Sequence, residues 1–115
     1  VVAGRAGAVR ELMAKLKLVA APTFEANVGA TIAGGDPVPV KMTFRHRTKS
    51  VLLEWMGNRT GKSDADSFME MVEAWELEDP FNRESVDLLL DNYPGAALAA
   101  YQVYIDELLK AKVKN

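Results

Sequence analysis

The hydrophobic pattern of this chain changes period once, near Arg47, and that change decides which class of fold is open to it. Before it, Leu16 and Leu18 alternate with Lys15 and Lys17, and Phe24, Ala26, Val28, Ala30 and Ile32 alternate with Glu25, Asn27 and Thr31. Successive side chains of a strand point to opposite faces, so a period of two marks strands with one face buried. The segment "AGGDP" at Ala33 to Pro37 supplies glycine and aspartate for a turn. Beyond it Val38, Val40, Met42, Phe44 and His46 alternate with Lys41, Thr43, Arg45 and Arg47, which closes an antiparallel hairpin. Pro37 and Pro39 have no N–H to give to a ladder, so the start of this second strand is expected at an edge or outside the pairing.

After Arg47 the spacing becomes helical. Thr48 is expected to cap a first helix carrying Val51, Leu52, Trp55 and Met56, ended by the glycines of "GNRTGK". Ser63, with Asp66 in the capping-box position, caps a second whose buried face reads Phe68, Met71, Val72 and Trp75. Asn82 caps a third with Val86, Leu89, Leu90 and Tyr93 on one stripe, and Phe81 stands where a hydrophobic staple to Val86 would close. Tyr93 precedes Pro94, which disfavours helical dihedrals and predicts a break. A fourth helix then starts near Pro94 or Gly95, turns Leu98, Tyr101, Ile105 and Leu108 inward, and frays in "KAKVKN". Strands first and helices afterwards predict an α+β fold: an N-terminal antiparallel hairpin or small sheet followed by about four short α-helices.

A length of 115 residues suits one domain, and no apolar run approaches the roughly 20 residues of a membrane span. "VVAGRAGAVREL", residues 1–12, reads as a vector-derived or upstream-translated leader, with Met13 a natural start and residues 13–115 a single domain. The absence of cysteine removes disulfides, thiol nucleophiles and cysteine-based zinc sites together. A net charge of −2 offers no global attraction to nucleic acid.

No constellation of reactive groups stands out. The lone His46 runs in phase with Phe44 and reads as a half-buried histidine at a sheet margin, without a triad or a nucleophile elbow beside it. Glu70, Glu73, Glu76, Glu78 and Asp79 lack the D-x-D-x-D-G loop that would gather oxygens around a cation, so they read as a solvated face. No catalytic, metal or cofactor residue is therefore assigned. Lys41, Arg45, Arg47 and Lys49 raise an alternative, a small nucleic-acid-binding regulator, but Phe44 points away from them, whereas single-strand binders stack bases beside their cations. Trp55 and Trp75 fall on apolar stripes and read as core. A chain of this kind works through apolar contact, and the candidate partner-binding residues are Val38, Val40, Met42, Phe44, Trp55 and Met56, the methionines giving adaptable packing.

Four segments carry a resemblance: "AKLKLVAAPTFEANV", the hairpin "GGDPVPVKMTFRHRTK", the corner "WELEDPFNRESVDLLLDNYPGA" and the closing "AYQVYIDELL". Together they resemble the tail assembly chaperones of phages with long non-contractile tails, a family also found in prophages. That resemblance implies a protein of the host cell cytoplasm that binds the tape measure protein, keeps it soluble and promotes assembly of tail tube subunits around it. It also implies absence from the finished virion and self-association into oligomers or spirals. A longer form made by ribosomal frameshift, contacting the tail tube protein, is a further implication, and the lysine-rich end "LLKAKVKN" suits a slippery site.

Overall fold

In the computed structural model of the chain, residues 16–110 are described. Among the described residues seven elements follow one another: strands β1 (Thr23–Ala30) and β2 (Val38–Arg45), helices α1 (Lys49–Gly57) and α2 (Asp64–Met71), strand β3 (Val72–Trp75), and helices α3 (Arg83–Asn92) and α4 (Ala96–Leu109). The strands form one antiparallel sheet in the order β1-β2-β3, and the fold is α+β. Register between β1 and β2 puts Phe24 opposite Phe44, Ala26 opposite Met42 and Val28 opposite Val40, so the apolar set of both strands shares one face. Residues from each of the described helices, among them Leu52, Phe68, Val86 and Tyr104, close over that face in a single core. The turn between β1 and β2 uses Gly34 at φ 77°, which a residue with a Cβ rarely adopts, and is closed by Gly35 N–H donating to Ile32 O at 2.9 Å.

Local chemistry sets the helix starts. Thr48, Ser63 and Asn82 are N-caps whose side-chain oxygens accept from Val51, Asp66 and Ser85 N–H, at 3.4, 3.1 and 2.8 Å, and so satisfy donors that a helix leaves open at its first turn. Gly95 starts α4 directly after Pro94. The fraying expected in "KAKVKN" and the leader at residues 1–12 lie outside the described residues, apart from Lys110.

Three expectations are corrected. The alternation at Leu16 and Leu18 does not make a strand: both are fully solvent-facing and β1 begins at Thr23. An alternating pattern needs a partner, and β2 has none left to give. Its pairing closes with His46 N–H donating to Pro22 O at 2.9 Å, and Thr48 already caps α1.

Second, Val72 and Trp75 are not the last turn of α2 but the ends of β3. Phe44 pairs with Val72, Thr43 with Ala74 and Met42 with Trp75, so Glu73 is an extra residue that the ladder skips. This bulge flips the alternation once and brings Val72 and Trp75 to the same face three residues apart, a spacing that imitates a helix.

Third, α4 is rotated relative to the expected stripe. Ala97, Ala100 and Tyr104 are buried and Leu98 is 59% exposed, while Tyr101, Ile105 and Leu108 of the expected stripe pack half-buried against the core. Alanines let the helix axis approach its neighbours closely, and Tyr104 then reaches a stack of rings with Phe24 and Phe44, at centroid distances of 6.0 and 5.6 Å.

A candidate partner-binding groove

The fold divides the residues that sequence singled out for partner contact. Val40, Met42, Phe44 and Trp55 are buried in the core and offer little surface, Met56 is half-buried, and Val38 stands exposed near the hairpin tip. The indole N–H of Trp55 donates to Glu70 Oε1 at 2.7 Å, and the guanidinium of Arg47 lies 4.8 Å from its ring centroid. Arg59 lies over Tyr101 at 3.6 Å, so the aromatic layer under α1 and α4 is flanked by two cations.

The basic set is divided in the same way. Lys41, Arg45 and Lys49 are exposed, but Arg47 is drawn inward, where Nη1 donates to Glu70 O at 2.8 Å and to the Tyr104 hydroxyl at 3.0 Å. Lys41 shares a shallow polar depression with Glu25, Asp106 and Glu107, which makes that side of the sheet mixed in charge rather than basic. His46 is half-buried just past the end of β2.

A groove of about 390 Å³ opens elsewhere, where the hairpin tip runs beyond β3 and faces α3. β3 pairs with β2 only at Met42 to Phe44, with one further bond from Glu76 N–H to Lys41 O, so among the described residues no strand pairs with Val38 to Val40 on that side. Ala30, Ile32, Val38 and Val40 line it from the hairpin, Leu88, Leu89 and Tyr93 from α3 and its end, and Trp75 with Leu77 from β3 and the corner after it. Leu88 is 60% exposed and Val38 44%, values that mark exposed apolar surface on both sides of the groove. Trp75 is held by its own corner: its indole N–H donates to Asp79 O at 2.8 Å and Phe81 meets its ring edge-on at 5.0 Å.

The sequence reading missed α3 as a wall, although a signal was there. Leu88, Leu89 and Leu90 are consecutive, and at about 100° per residue three neighbours cannot all face one core.

A family model described as phage tail assembly chaperone matches residues 13–115, nearly the whole chain. The chain belongs to the phage tail assembly chaperone family. It matches no curated protein and no solved structure. The family of this tail assembly chaperone is one of chaperones and not an enzyme class. Among the described residues no group of three or more His, Asp or Glu side chains is placed to hold a metal ion, and no helix is long and apolar enough to cross a membrane.

Two carboxylates of the chaperone are tuned by their neighbours. The Lys62 ammonium, 2.8 Å from Glu70, holds that carboxyl below the usual carboxylate range, with partial burial opposing and the Trp55 indole assisting. Asp66 is lowered chiefly by the guanidinium of Arg83 at 2.7 Å and next by Ser63. A carboxyl whose folded pKa lies below its unfolded one contributes stability that is complete above the unfolded value and lost as pH falls through the folded one. Thermal stability is therefore expected to be level from neutral pH down to about 5 and to decline below about 4. In Glu70→Gln the acid limb becomes shallower, and melting curves at stepped pH check it; an unchanged limb would show that this carboxylate contributes nothing.

Proposed function

We propose that this chain binds the tape measure protein, keeps it soluble and promotes assembly of the tail tube, and that the groove between the hairpin tip and α3 is where the client docks. Membership of the tail assembly chaperone family carries this reading. The groove supports its location: it is an unfilled apolar surface of the size that accepts side chains of a partner, and Val38 belongs to it. Work in the host cell cytoplasm, absence from the mature virion, self-association and contact with the tail tube protein through a frameshifted longer form belong to the same proposal. A long helical client has apolar stripes that aggregate when uncovered, and a surface that covers them reversibly keeps it in solution.

Co-expression tests the proposal. The tape measure protein made alone is expected in the insoluble fraction, and made with the chaperone in the soluble one. The double variant Val38→Asp, Leu88→Asp puts charge on both walls at exposed positions, leaves the circular dichroism spectrum unchanged, and is expected to weaken client binding about tenfold or more. A tape measure protein whose solubility ignores the chaperone sinks the client assignment. Full rescue by the double variant moves the docking site away from the groove.

A further inference from the structure

We infer that the groove takes an amphipathic helix whose apolar stripe is flanked by lysine or arginine, and that it refuses an extended strand. The inference rests on the groove being the client site proposed above.

Backbone geometry excludes the strand. Pairing of β1 with β2 is regular from Thr23 opposite Arg45 to Ala30 opposite Val38. His46 N–H bonds to Pro22 O on the β1 side, while Lys41 O accepts from Glu76 N–H on the β3 side. Even-numbered residues of β2 thus turn their backbone groups toward β1 and odd-numbered ones toward β3. Pro39 is odd, so at the stretch where β3 has already ended, the residue facing the open side has no N–H. Pro37, two residues earlier, has none either. A strand added there would find acceptors without donors, and strand addition derives its affinity from main-chain bonds of both kinds. What remains is side-chain surface between two walls. α3 runs Arg83–Asn92, about 15 Å, which matches roughly three turns of a helix presenting positions i, i+3, i+4 and i+7.

Charge at the rim selects the flanks. Asp79 lines the groove beside Leu77, and Glu78 precedes it in the same exposed corner. On α3, Glu84 and Asp91 stand four residues before and three after the exposed Leu88, on the solvent margin of that wall. Arg83 is the only basic residue in the sequence from Val72 to Leu109, and it is held by Asp66 at 2.7 Å and Asp87 at 3.0 Å. An apolar floor with a rim of one sign attracts an apolar stripe bordered by the other, and repels one bordered by carboxylates.

Twin synthetic peptides of about 20 residues test this, sharing one leucine stripe and flanked either by lysine or by glutamate. With the full chain, fluorescence anisotropy is expected to give the lysine twin an affinity about tenfold higher or more at low salt, with the ratio shrinking in about 0.5 M sodium chloride. The triple variant Glu78→Gln, Asp79→Asn, Glu84→Gln brings the ratio close to one, and Leu88→Asp removes binding of both twins. Equal affinities, or preference for the glutamate twin, overturn the inference. So does failure of both twins to bind where Leu88→Asp turns an oligomer into a monomer, since the groove then holds a second copy. If the twins bind alike while the tape measure protein is still kept soluble, the charge selection fails and the proposed function stands. If the lysine twin is selected but the tape measure protein stays insoluble, the client assignment fails and the groove chemistry stands.

Discussion

Replacing Tyr104 by alanine is expected to destabilise the chain by about 3–5 kcal/mol, enough to unfold much of it at growth temperature. Tyr104 is fully buried and sits at the centre of the ring stack, 5.6 Å from Phe44, 6.0 Å from Phe24 and, edge-on, 5.6 Å from Trp55. Removing the ring leaves a cavity between sheet and α4 that rigid aromatic neighbours fill poorly. The hydroxyl adds a separate contribution. It donates to Arg45 O at 2.7 Å and accepts from Arg47 at 3.0 Å, so Tyr104→Phe leaves both partners short of a bond and is expected to lose about 1–2 kcal/mol. Leu98→Ala on the same helix is expected to fall within about 0.5 kcal/mol of the parent, because its side chain is mostly in solvent. Urea unfolding of the three variants checks the order. A loss at Leu98 equal to that at Tyr104 would mean that α4 presents its leucine stripe to the core after all.

That comparison also shows where sequence reading works on this chain and where it stops. The hairpin was legible because period two has one physical cause, a strand with one face buried; the register that sets Phe24 opposite Phe44 and Val28 opposite Val40 became visible only in the structure. Helix starts were legible because Thr48, Ser63 and Asn82 act on their own first turns and need nothing distant. What depended on a partner was not legible. The bulge at Glu73 gives a strand the spacing of a helix, and only the register with β2 reveals it. In α4, Leu98 and Ala97 are neighbours, and which of them faces inward is decided by how closely the helix must approach the sheet, not by which is more apolar.

The candidate contact surface follows the same division. Hydrophobicity picked out Met42, Phe44 and Trp55, which is the property that buried them. The surface left over is defined by an absence: β3 stops at Trp75 while β2 continues to Val38, and α3 offers Leu88 to solvent. No local pattern records where a neighbouring strand ends. Val38 was reached from both directions because it belongs to the apolar alternation and also lies past the last residue that β3 pairs with.

Arg47 gives the second large expected effect, and it separates two arginines that the sequence places side by side. Arg45 and Arg47 share a phase along the strand, but β2 ends at Arg45 and the chain then turns toward α1. Arg47 is thereby carried past the end of the central strand, where one guanidinium nitrogen bonds the Glu70 carbonyl of α2 and the Tyr104 hydroxyl of α4 while the group lies 4.8 Å from the Trp55 ring of α1. It ties three helices to the end of the sheet. Arg47→Ala is expected to lose about 2–3 kcal/mol, combining charge-assisted hydrogen bonds to acceptors on the buried Tyr104 and the half-buried Glu70 with a cation–π contact. Arg47→Lys restores less than half of that, since an ammonium lacks the flat, weakly hydrated face that lies over the Trp55 ring while its N–H groups reach acceptors at the same time. Arg45→Ala, at an exposed position, is expected within about 0.5 kcal/mol of the parent. Thermal melts with far-ultraviolet circular dichroism measure all three. Should Arg45→Ala and Arg47→Ala destabilise alike, the joint between sheet and helices does not depend on this guanidinium, and the two arginines return to being one basic strand face.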